Sequence, residues 1–227
     1  MKKEDVCARI VEIGIIPAVR VSSAEDARFA AEAVSAAGIP IVEITMTVPG
    51  ALDVISHLAQ HLPGTIVGAG SVLDAETARH CLDAGASFLT SDGFDAKVVE
   101  LAAKVGCAVL PGALTPTEVT AAWKAGADFV KVVPCAQVGG ESYIHAVKAM
   151  LPQVSLVAAG GVNQVTAVNF ILAGATALGV GNELIPRNAI RLHEASRIRV
   201  LAHRFQGYVK TARAQMTPRK EIATAKK

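Results

Sequence analysis

The sequence predicts an α/β protein whose single domain is a (β/α)8 TIM barrel with eight parallel strands. Its 227 residues suit one barrel better than two smaller domains. Hydrophobic residues make up 52% of the chain and aromatic residues only 4%, which favours the aliphatic core of parallel strands covered by helices. Strand-like and helical stretches alternate throughout, and eight such units favour a closed barrel over an open, doubly wound sheet.

Short aliphatic runs bounded by glycine, proline or polar residues mark the strands in chain order. The eight predicted strands are Gly14–Val19, Ile41–Thr45, Thr65–Ala69, Ser87–Thr90, Ala108–Leu110, Asp128–Val133, Ser155–Ala159 and Ala177–Val180. Alanine-rich stretches between these strands have the composition of helices. The helix candidates include Ala24–Ala37, Ala75–Ala84, Thr117–Ala125 and Gln164–Ala173.

A weak internal repeat supports this count of units. An Ala-Gly pair followed by another apolar residue precedes a strand at four places. The glycines of these pairs are Gly38, Gly85, Gly126 and Gly174. Each is a natural helix C-terminal cap, and their spacing of about two βα units is typical of a repeating architecture.

No linker divides the chain, since proline and glycine fall at strand ends rather than in clusters. We therefore expect one domain over residues 1–216, including N- and C-terminal helices, and a disordered basic tail over residues 217–227. Residues 187–227 hold 11 of the 22 Lys and Arg residues, yet they contain no recognisable nucleic-acid motif. A solvated last helix with a frayed end, and no nucleic-acid partner, is the expectation.

The N-terminus and the cysteines indicate the cellular compartment. The first residues mix charges of both signs and lack a long apolar run, which argues against a signal peptide or a membrane span and predicts a cytoplasmic protein. The four cysteines are far apart and form no CxxC pair, so neither a zinc site nor a disulfide framework is indicated. All six histidines fall in helical stretches rather than at strand ends, and we expect neither a metal nor another cofactor.

Lys131 is the first candidate catalytic residue. It lies near the C-terminal end of the sixth predicted strand, which is otherwise apolar on both faces. Barrel enzymes keep their active sites at this end of the strands. Removing an ammonium from water favours the neutral amine, which is the form that attacks a ketone to make an imine. The alternative is a structural lysine paired with a carboxylate of the barrel.

Glu43 is the second candidate catalytic residue, because it is the single acid in the apolar strand Ile41–Thr45. Strand periodicity places Glu43 and Thr45 on one face. If Glu43 and Lys131 both point into the barrel, they face each other from opposite sides of its rim. A carboxylate there could move a proton during imine formation and enamine protonation, although a purely structural lysine–glutamate pair stays open.

Other polar residues at strand ends are candidate substrate ligands. Arg20 ends the first strand, and its guanidinium fork suits a carboxylate. Thr45, Ser71 and Thr115 are candidate hydrogen-bond donors after the second, third and fifth strands. They lie among small residues that let a ligand approach the backbone.

The last two strands end in glycine-rich turns that predict an anion site. Gly160, Gly161, Gly181 and Asn182 follow the seventh and eighth strands. Backbone amides at this position form the common phosphate site of barrel enzymes. Tight packing between helix and strand could demand some of the same glycines.

The motifs together resemble the 2-dehydro-3-deoxy-phosphogluconate/4-hydroxy-2-oxoglutarate (KDPG/KHG) aldolase family over roughly residues 12–185. Six segments occur in the family's order and spacing: Pro17–Arg20, Glu43–Pro49, Gly68–Leu73, Pro111–Glu118, Lys131–Pro134 and Gly160–Asn163. The resemblance implies that Lys131 forms the Schiff base, that Glu43 is the acid/base, and that the protein is a homotrimer.

Four features depart from the family pattern. Met46 stands where some members have a carboxylate-binding arginine, which leaves Arg20 as the expected anchor. Asp92 replaces a usual proline beside the substrate, and Val133 replaces a common phenylalanine. Ala158 and Ala159 stand where many members have Pro-Thr, which removes a hydroxyl from the phosphate end.

The reaction predicted from the sequence is a metal-independent, class I aldol cleavage. A 2-keto acid such as 2-dehydro-3-deoxy-6-phosphogluconate, or else 4-hydroxy-2-oxoglutarate, would give pyruvate and glyceraldehyde 3-phosphate or glyoxylate. Two other classes stay open: a phosphosugar isomerase or epimerase with Glu43 as base, and a non-catalytic ligand-binding barrel. Only the aldolase predicts a lysine adduct that borohydride traps.

Overall fold

A computed structural model describes residues 1–216 of the chain. The tail predicted over residues 217–227 lies outside the described residues. Within residues 1–216, the strands are β1 Ile15–Val19, β2 Ile41–Thr45, β3 Ile66–Gly70, β4 Phe88–Thr90, β5 Ala108–Leu110, β6 Gly112–Ala113, β7 Val130–Val132, β8 Leu156–Ala159 and β9 Ala177–Val180. All of the strand pairs are parallel.

Helices follow the strands and cover the sheet. In the described part of the chain they are α1 Lys3–Ile13, α2 Ala24–Ala36, α3 Ala51–His61, α4 Ala75–Asp83, α5 Ala96–Val105, α6 Pro116–Lys124, α7 Glu141–Met150, α8 Ala167–Leu172, α9 Arg187–Arg191 and α10 Ala195–Met216. None of the helices of residues 1–216 is long and apolar enough to cross a membrane. The four glycines predicted as C-terminal caps all have positive φ, between 84° and 106°, which confirms the repeat.

The strands form a barrel in the order β5-β4-β3-β2-β1-β9-β8-β7-β6, which confirms the predicted TIM barrel. The nine strands occupy eight barrel positions, because β5, which is the predicted strand Ala108–Leu110, and β6, a short strand outside the prediction, together form the fifth position. Pro111 separates them: proline has no N–H to donate to a ladder. Its carbonyl still accepts from the Lys131 N–H at 2.9 Å. The ring therefore runs from β5 through Pro111 to β6, which pairs with β7.

Element boundaries differ from the prediction mainly at strand starts and at α8. Residues 128 and 129, predicted as strand, precede β7, where the Asp128 carboxylate accepts from the Val109 N–H at 3.0 Å. Helix α8 begins at Ala167 rather than Gln164, because the Asn163 side chain accepts from the N–H groups of Val165 and Thr166. That turn replaces the first turn of the predicted helix.

The core is aliphatic, as the composition predicts, and one aromatic ring lies inside the barrel. Phe88 is fully buried on β4, and Gly68 is its partner in the register of β3 and β4. A Cβ on Gly68 would overlap the Phe88 ring. Glycine at this position therefore makes the space for the ring.

Helix α10 closes the fold and is not simply solvated. Its buried residues recur every three or four positions and are Ile198, Leu201, Ala202, Phe205, Val209 and Ala212. This stripe lies on the face toward α2 and α8, as expected of an amphipathic helix. Near its end, Arg213 donates to the backbone oxygens of Val11 and Glu12. The basic residues of α10, which are Arg197, Arg199, Arg204, Lys210 and Arg213, therefore lie on a helix that packs against the barrel.

Candidate active site

A cavity of about 380 Å³ opens at the C-terminal end of the barrel strands. Seven of the ten site residues predicted from the sequence line it: Arg20, Glu43, Lys131, Gly160, Gly161, Gly181 and Asn182. Asp92, Val133 and Ala159, where the sequence departs from the resembled family, also line the cavity. Its location is the one that barrel enzymes use for catalysis.

Lys131 is buried on β7, with a relative exposure of 6%. Its Nζ donates a hydrogen bond to Asp92 Oδ1 at 2.9 Å. Burying an ammonium costs free energy unless it is paired, and the contact with Asp92 offsets that cost. The partner found in the structure is Asp92, whereas the sequence had suggested Glu43.

Asp92 is the residue of this cavity to which the motifs assigned no role. It follows β4 and shares its carboxylate among three groups: Oδ1 accepts from Lys131, and Oδ2 accepts from Ser71 Oγ at 2.7 Å. Arg20 Nη2 lies 3.7 Å from Oδ2. A polar residue directly after a barrel strand was the available signal.

The pKa of Asp92 reflects opposing influences. Burial is the largest and raises it, but the charge of Lys131, the hydrogen bonds from Ser71 and Lys131, and the charge of Arg20 together lower the pKa below its ordinary value. Nearby cations and hydrogen bonds to the charged form both favour a carboxylate. Asp92 is therefore ionised at neutral pH.

Glu43 lies in the same cavity but in a different environment. It is 5% exposed on β2, and within residues 1–216 no hydrogen bond or ion pair engages its carboxyl group. The Glu43 carboxyl group lies directly over Gly70, where an added Cβ would overlap Oε1. A group held by packing rather than by a fixed partner keeps its oxygens available to a ligand.

Thr45 and Ser71 support the site without lining the cavity. Thr45 is fully buried, and its hydroxyl donates to the Val19 carbonyl at 3.1 Å, which ties the end of β2 to that of β1. Ser71 has a φ of 57°, a left-handed conformation that is uncommon outside glycine. In this conformation Ser71 accepts from Arg20 at 3.2 Å and donates to Asp92.

Thr115 is placed at the start of α6, away from the cavity. It is the N-cap of that helix, and its hydroxyl accepts from the Glu118 N–H at 3.3 Å. The Glu118 carboxylate accepts in turn from the Thr115 N–H at 2.7 Å, which completes a capping box. Both partners satisfy helix groups that would otherwise lack a hydrogen bond.

Thr115→Ala should therefore destabilise the fold and leave catalysis unchanged. The loss of the cap is expected to lower the free energy of unfolding by about 1 kcal/mol, measured by denaturant titration. The kcat/KM of the folded variant should stay close to that of the parent. A large loss of kcat/KM with unchanged stability would return Thr115 to the substrate ligands.

The glycine turns after β8 and β9 combine backbone and packing requirements. Gly160 and Gly161 have φ of 78° and 92°, which glycine adopts at no steric cost. A Cβ on Gly161 would also overlap Ala136. Tight packing thus explains glycine at these positions, and the turns still face the cavity. Beside them, the exposed Glu183 adds a carboxylate to the lining.

The cysteines have the character of unreactive, reduced thiols. All four are free, and burial raises the pKa of Cys135 to about 11. In the part of the chain that the structure describes, no group of three or more His, Cys, Asp and Glu residues is arranged to hold a metal ion. The ionisable side chains that line the cavity are Arg20, Lys131 and the carboxylates of Glu43, Asp92 and Glu183.

A parallel barrel with a buried, carboxylate-paired lysine facing a cavity at the strand ends has the nucleophile and the location that a Schiff-base-forming enzyme needs. Comparison with known proteins narrows this class. The family model for KDPG and KHG aldolases matches residues 6–201. The chain belongs to this aldolase family and is therefore a carbon–carbon lyase.

Two relatives illustrate the range of substrates named within the family. A probable 2-dehydro-3-deoxy-6-phosphogalactonate aldolase of Rhizobium meliloti (strain 1021) is 32% identical over 77% of this chain and 82% of its own length. A 2-dehydro-3-deoxy-phosphogluconate aldolase of Treponema pallidum (strain Nichols) is 28% identical over 84% of this chain and 90% of its own.

Two similar solved structures share the fold, and each contains a small carboxylic acid. The 2-keto-3-deoxy-6-phosphogluconate aldolase of Zymomonas mobilis ZM4, solved with 3-phosphoglycerate, has a TM-score of 0.82 and 26% identity, covering 91% of this chain and 97% of its own. The KDPG aldolase of Legionella pneumophila, with pyruvate captured as a covalent carbinolamine intermediate, has a TM-score of 0.80 and 28% identity, covering 86% and 95%.

Proposed function

We propose that this aldolase cleaves 2-dehydro-3-deoxy-6-phosphogluconate to pyruvate and glyceraldehyde 3-phosphate, with Lys131 as the nucleophile. The observation that carries the proposal is the buried Lys131 Nζ facing the cavity at the end of β7. The names of the relatives support the substrate, and the carbinolamine of the Legionella enzyme supports the covalent chemistry.

The proposed reaction begins when the Lys131 ammonium gives up a proton to solvent and the neutral amine attacks C2 of the keto acid. Loss of water gives an iminium, which serves as the electron sink for cleavage of the C3–C4 bond. The aldehyde leaves and an enamine of pyruvate stays on Lys131. Glu43 acts as proton shuttle when the carbinolamine loses water and when the enamine is protonated at C3.

The ends of the substrate are proposed to bind at opposite sides of Lys131. Arg20 anchors the C1 carboxylate, since its side chain is 55% exposed and its contact with Asp92 is long at 3.7 Å. Its remaining N–H donors suit a second carboxylate. The turns of Gly160, Gly161, Gly181 and Asn182 take the phosphate through backbone amides and one side-chain donor.

A second candidate substrate is 4-hydroxy-2-oxoglutarate. Glu183 lines the cavity beside the proposed phosphate turns, and its negative charge opposes a dianion there. Ala159, which also lines the cavity, provides no hydroxyl to bind a phosphate. Both features favour a shorter substrate that does not reach the turns.

The phosphate proposal predicts a higher kcat/KM for the phosphorylated sugar acid than for 4-hydroxy-2-oxoglutarate or the unphosphorylated acid. Asn182→Asp should reduce this advantage roughly 10- to 100-fold, because it removes a donor and adds a charge. Glu183→Gln is the matched reciprocal and should increase the advantage. Substitution of Gly161 is unsuitable as a test, since any side chain there would overlap Ala136. If Asn182→Asp changed kcat/KM equally for all three substrates, the phosphate would bind elsewhere. If the parent enzyme showed no preference for the phosphorylated acid, 4-hydroxy-2-oxoglutarate would be the favoured substrate.

We also propose that the protein is a cytoplasmic homotrimer, as the family resemblance implies. A similar structure, with a TM-score of 0.81 and 27% identity, is a protein cage designed by fusing symmetric oligomeric domains. This likeness to a symmetric assembly supports an oligomer, and the number of subunits rests on the resemblance alone. A small 2-keto acid is the proposed partner, and no nucleic acid or membrane is involved.

A further inference from the structure

Asp92 is the only carboxylate of residues 1–216 that contacts the nitrogen of Lys131. Its Oδ1 lies 2.9 Å from Nζ, within hydrogen-bond distance. Any substrate carbon that becomes bonded to Nζ therefore lies beside Asp92. In a 3-deoxy-2-keto acid the C4 hydroxyl is joined to C2 only through C3, so a folded-back substrate brings that hydroxyl to the same carboxylate.

The loop that carries Asp92 is fixed against the strand next to Lys131. The Gly112 N–H donates to the Gly93 carbonyl at 3.2 Å and to Ser91 Oγ at 3.3 Å. Gly112 pairs in register with Lys131, and a Cβ on Gly112 would overlap the Asp92 backbone. These contacts hold the carboxylate in place before substrate arrives, which is a requirement for efficient catalysis.

We infer that Asp92 is a second catalytic carboxylate, the base that takes the C4 hydroxyl proton when the C3–C4 bond breaks. The inference rests on the aldolase function proposed above. In this step the O–H bond at C4 breaks and its proton moves to Asp92, while the C4 oxygen forms the aldehyde carbonyl. The electron pair of the C3–C4 bond becomes the C2–C3 double bond, and the iminium π pair returns to Nζ as an enamine.

The charges of the Lys131 nitrogen and the Asp92 carboxylate change together in this step, which favours proton transfer to Asp92. Before cleavage, a cationic iminium on Nζ stabilises the ionised form of Asp92, just as the ammonium lowers its pKa in the free enzyme. Cleavage neutralises the nitrogen at the moment when the proton arrives. The proton affinity of Asp92 therefore rises as the proton is delivered. The nitrogen and the Asp92 carboxyl group are both neutral afterwards.

The two carboxylates then have separate tasks. Glu43 makes no hydrogen bond to Lys131, whereas Asp92 does. Pyruvate alone separates these tasks experimentally, because it forms the imine and the enamine but has no C4 hydroxyl. Exchange of its methyl protons with deuterated water requires Lys131 and the group that protonates C3, but not the base for C4.

The test compares Asp92→Asn with the parent enzyme in two assays: aldol cleavage of the phosphorylated sugar acid, and exchange of pyruvate methyl protons followed by NMR. Asparagine keeps the size of aspartate but cannot accept the proton. Cleavage should fall roughly 10²- to 10⁴-fold. Exchange should be retained, because pyruvate has no C4 hydroxyl from which this base would take a proton.

Two variants complete the test. Glu43→Gln should slow both assays, and Asp53→Asn makes the same chemical change on the exposed outer surface of α3 and should slow neither. If Asp92→Asn slows exchange and cleavage equally, Asp92 merely positions Lys131 and the inference is overturned. Unchanged cleavage overturns it as well. A parent enzyme that exchanges pyruvate but does not cleave the sugar acid would instead refute the proposed substrate, and one that does neither would refute the proposed function.

Discussion

Lys131→Met is expected to abolish aldol cleavage while the protein stays folded. Methionine matches the length of the lysine stem but cannot form an imine, and loss of a covalent nucleophile costs on the order of 10⁶-fold in turnover in well-studied enzymes. The substitution also removes a buried ammonium. Asp92 is 43% exposed and keeps its hydrogen bond from Ser71, so no buried charge is left without a partner and the thermal midpoint should change little. Circular dichroism and a steady-state assay measure the two quantities.

The matching positive experiment is to trap the intermediate on the parent enzyme. Incubation with pyruvate and borohydride should add one pyruvate-derived group per chain, and peptide mass spectrometry should find it on Lys131. EDTA should leave the activity intact. Lys104→Met, at an exposed lysine near the end of α5, is the matched control and should be trapped normally. An adduct on another lysine, or activity that EDTA removes and zinc restores, would refute the Schiff-base mechanism at Lys131.

Lys131 and Glu43 could be predicted from the sequence because each is a lone charge in an apolar strand. A charged residue there must be compensated, and compensation of this kind is enriched at functional sites. The same strands fix the end of the barrel at which the residues lie. Because both strands end at the same rim of the barrel, Lys131 and Glu43 were expected at one site, and both line the cavity.

The pairing of Lys131 with Asp92 was beyond the reach of sequence patterns. The two residues are 39 positions apart, and Asp92 lies in a loop whose course depends on the backbone of β6. That loop can approach only because Gly112 has no side chain. Periodicity places residues on strand faces, but it does not describe how a loop folds back on the barrel.

Thr115 lies after the fifth strand, as predicted, but its role in the structure differs from the predicted one. Its place after the fifth strand suggested a substrate ligand. The glutamate three residues later makes the sequence a capping box as well, and the structure shows both hydrogen bonds of that motif. A hydroxyl at the start of a helix is thus weaker evidence for binding than a charge inside a strand, because local backbone groups compete for it.

Glu43→Gln is expected to reduce turnover roughly 10²- to 10⁴-fold, the usual scale of positioned acid/base catalysis. Glutamine preserves the volume of the buried side chain but cannot pass between two charge states. Glu43 has no partner in residues 1–216 to be left unsatisfied, so the stability of the fold should change little. Pyruvate trapping by borohydride should slow too, since dehydration of the carbinolamine needs the same proton.

Gly70→Ala tests Glu43 without altering it. The new methyl group would occupy the space of the Glu43 carboxyl group, and the far end of that side chain would have to move. Turnover should therefore fall by a factor approaching that of Glu43→Gln, with the fold intact. Gly207→Ala adds the same methyl in α10, where nothing lies within 4 Å, and should leave turnover unchanged, with a stability equal to the parent's or up to about 1 kcal/mol higher. Near-normal turnover in folded Glu43→Gln and Gly70→Ala would remove Glu43 from the mechanism and leave Asp92 as the proton-transfer group for every step.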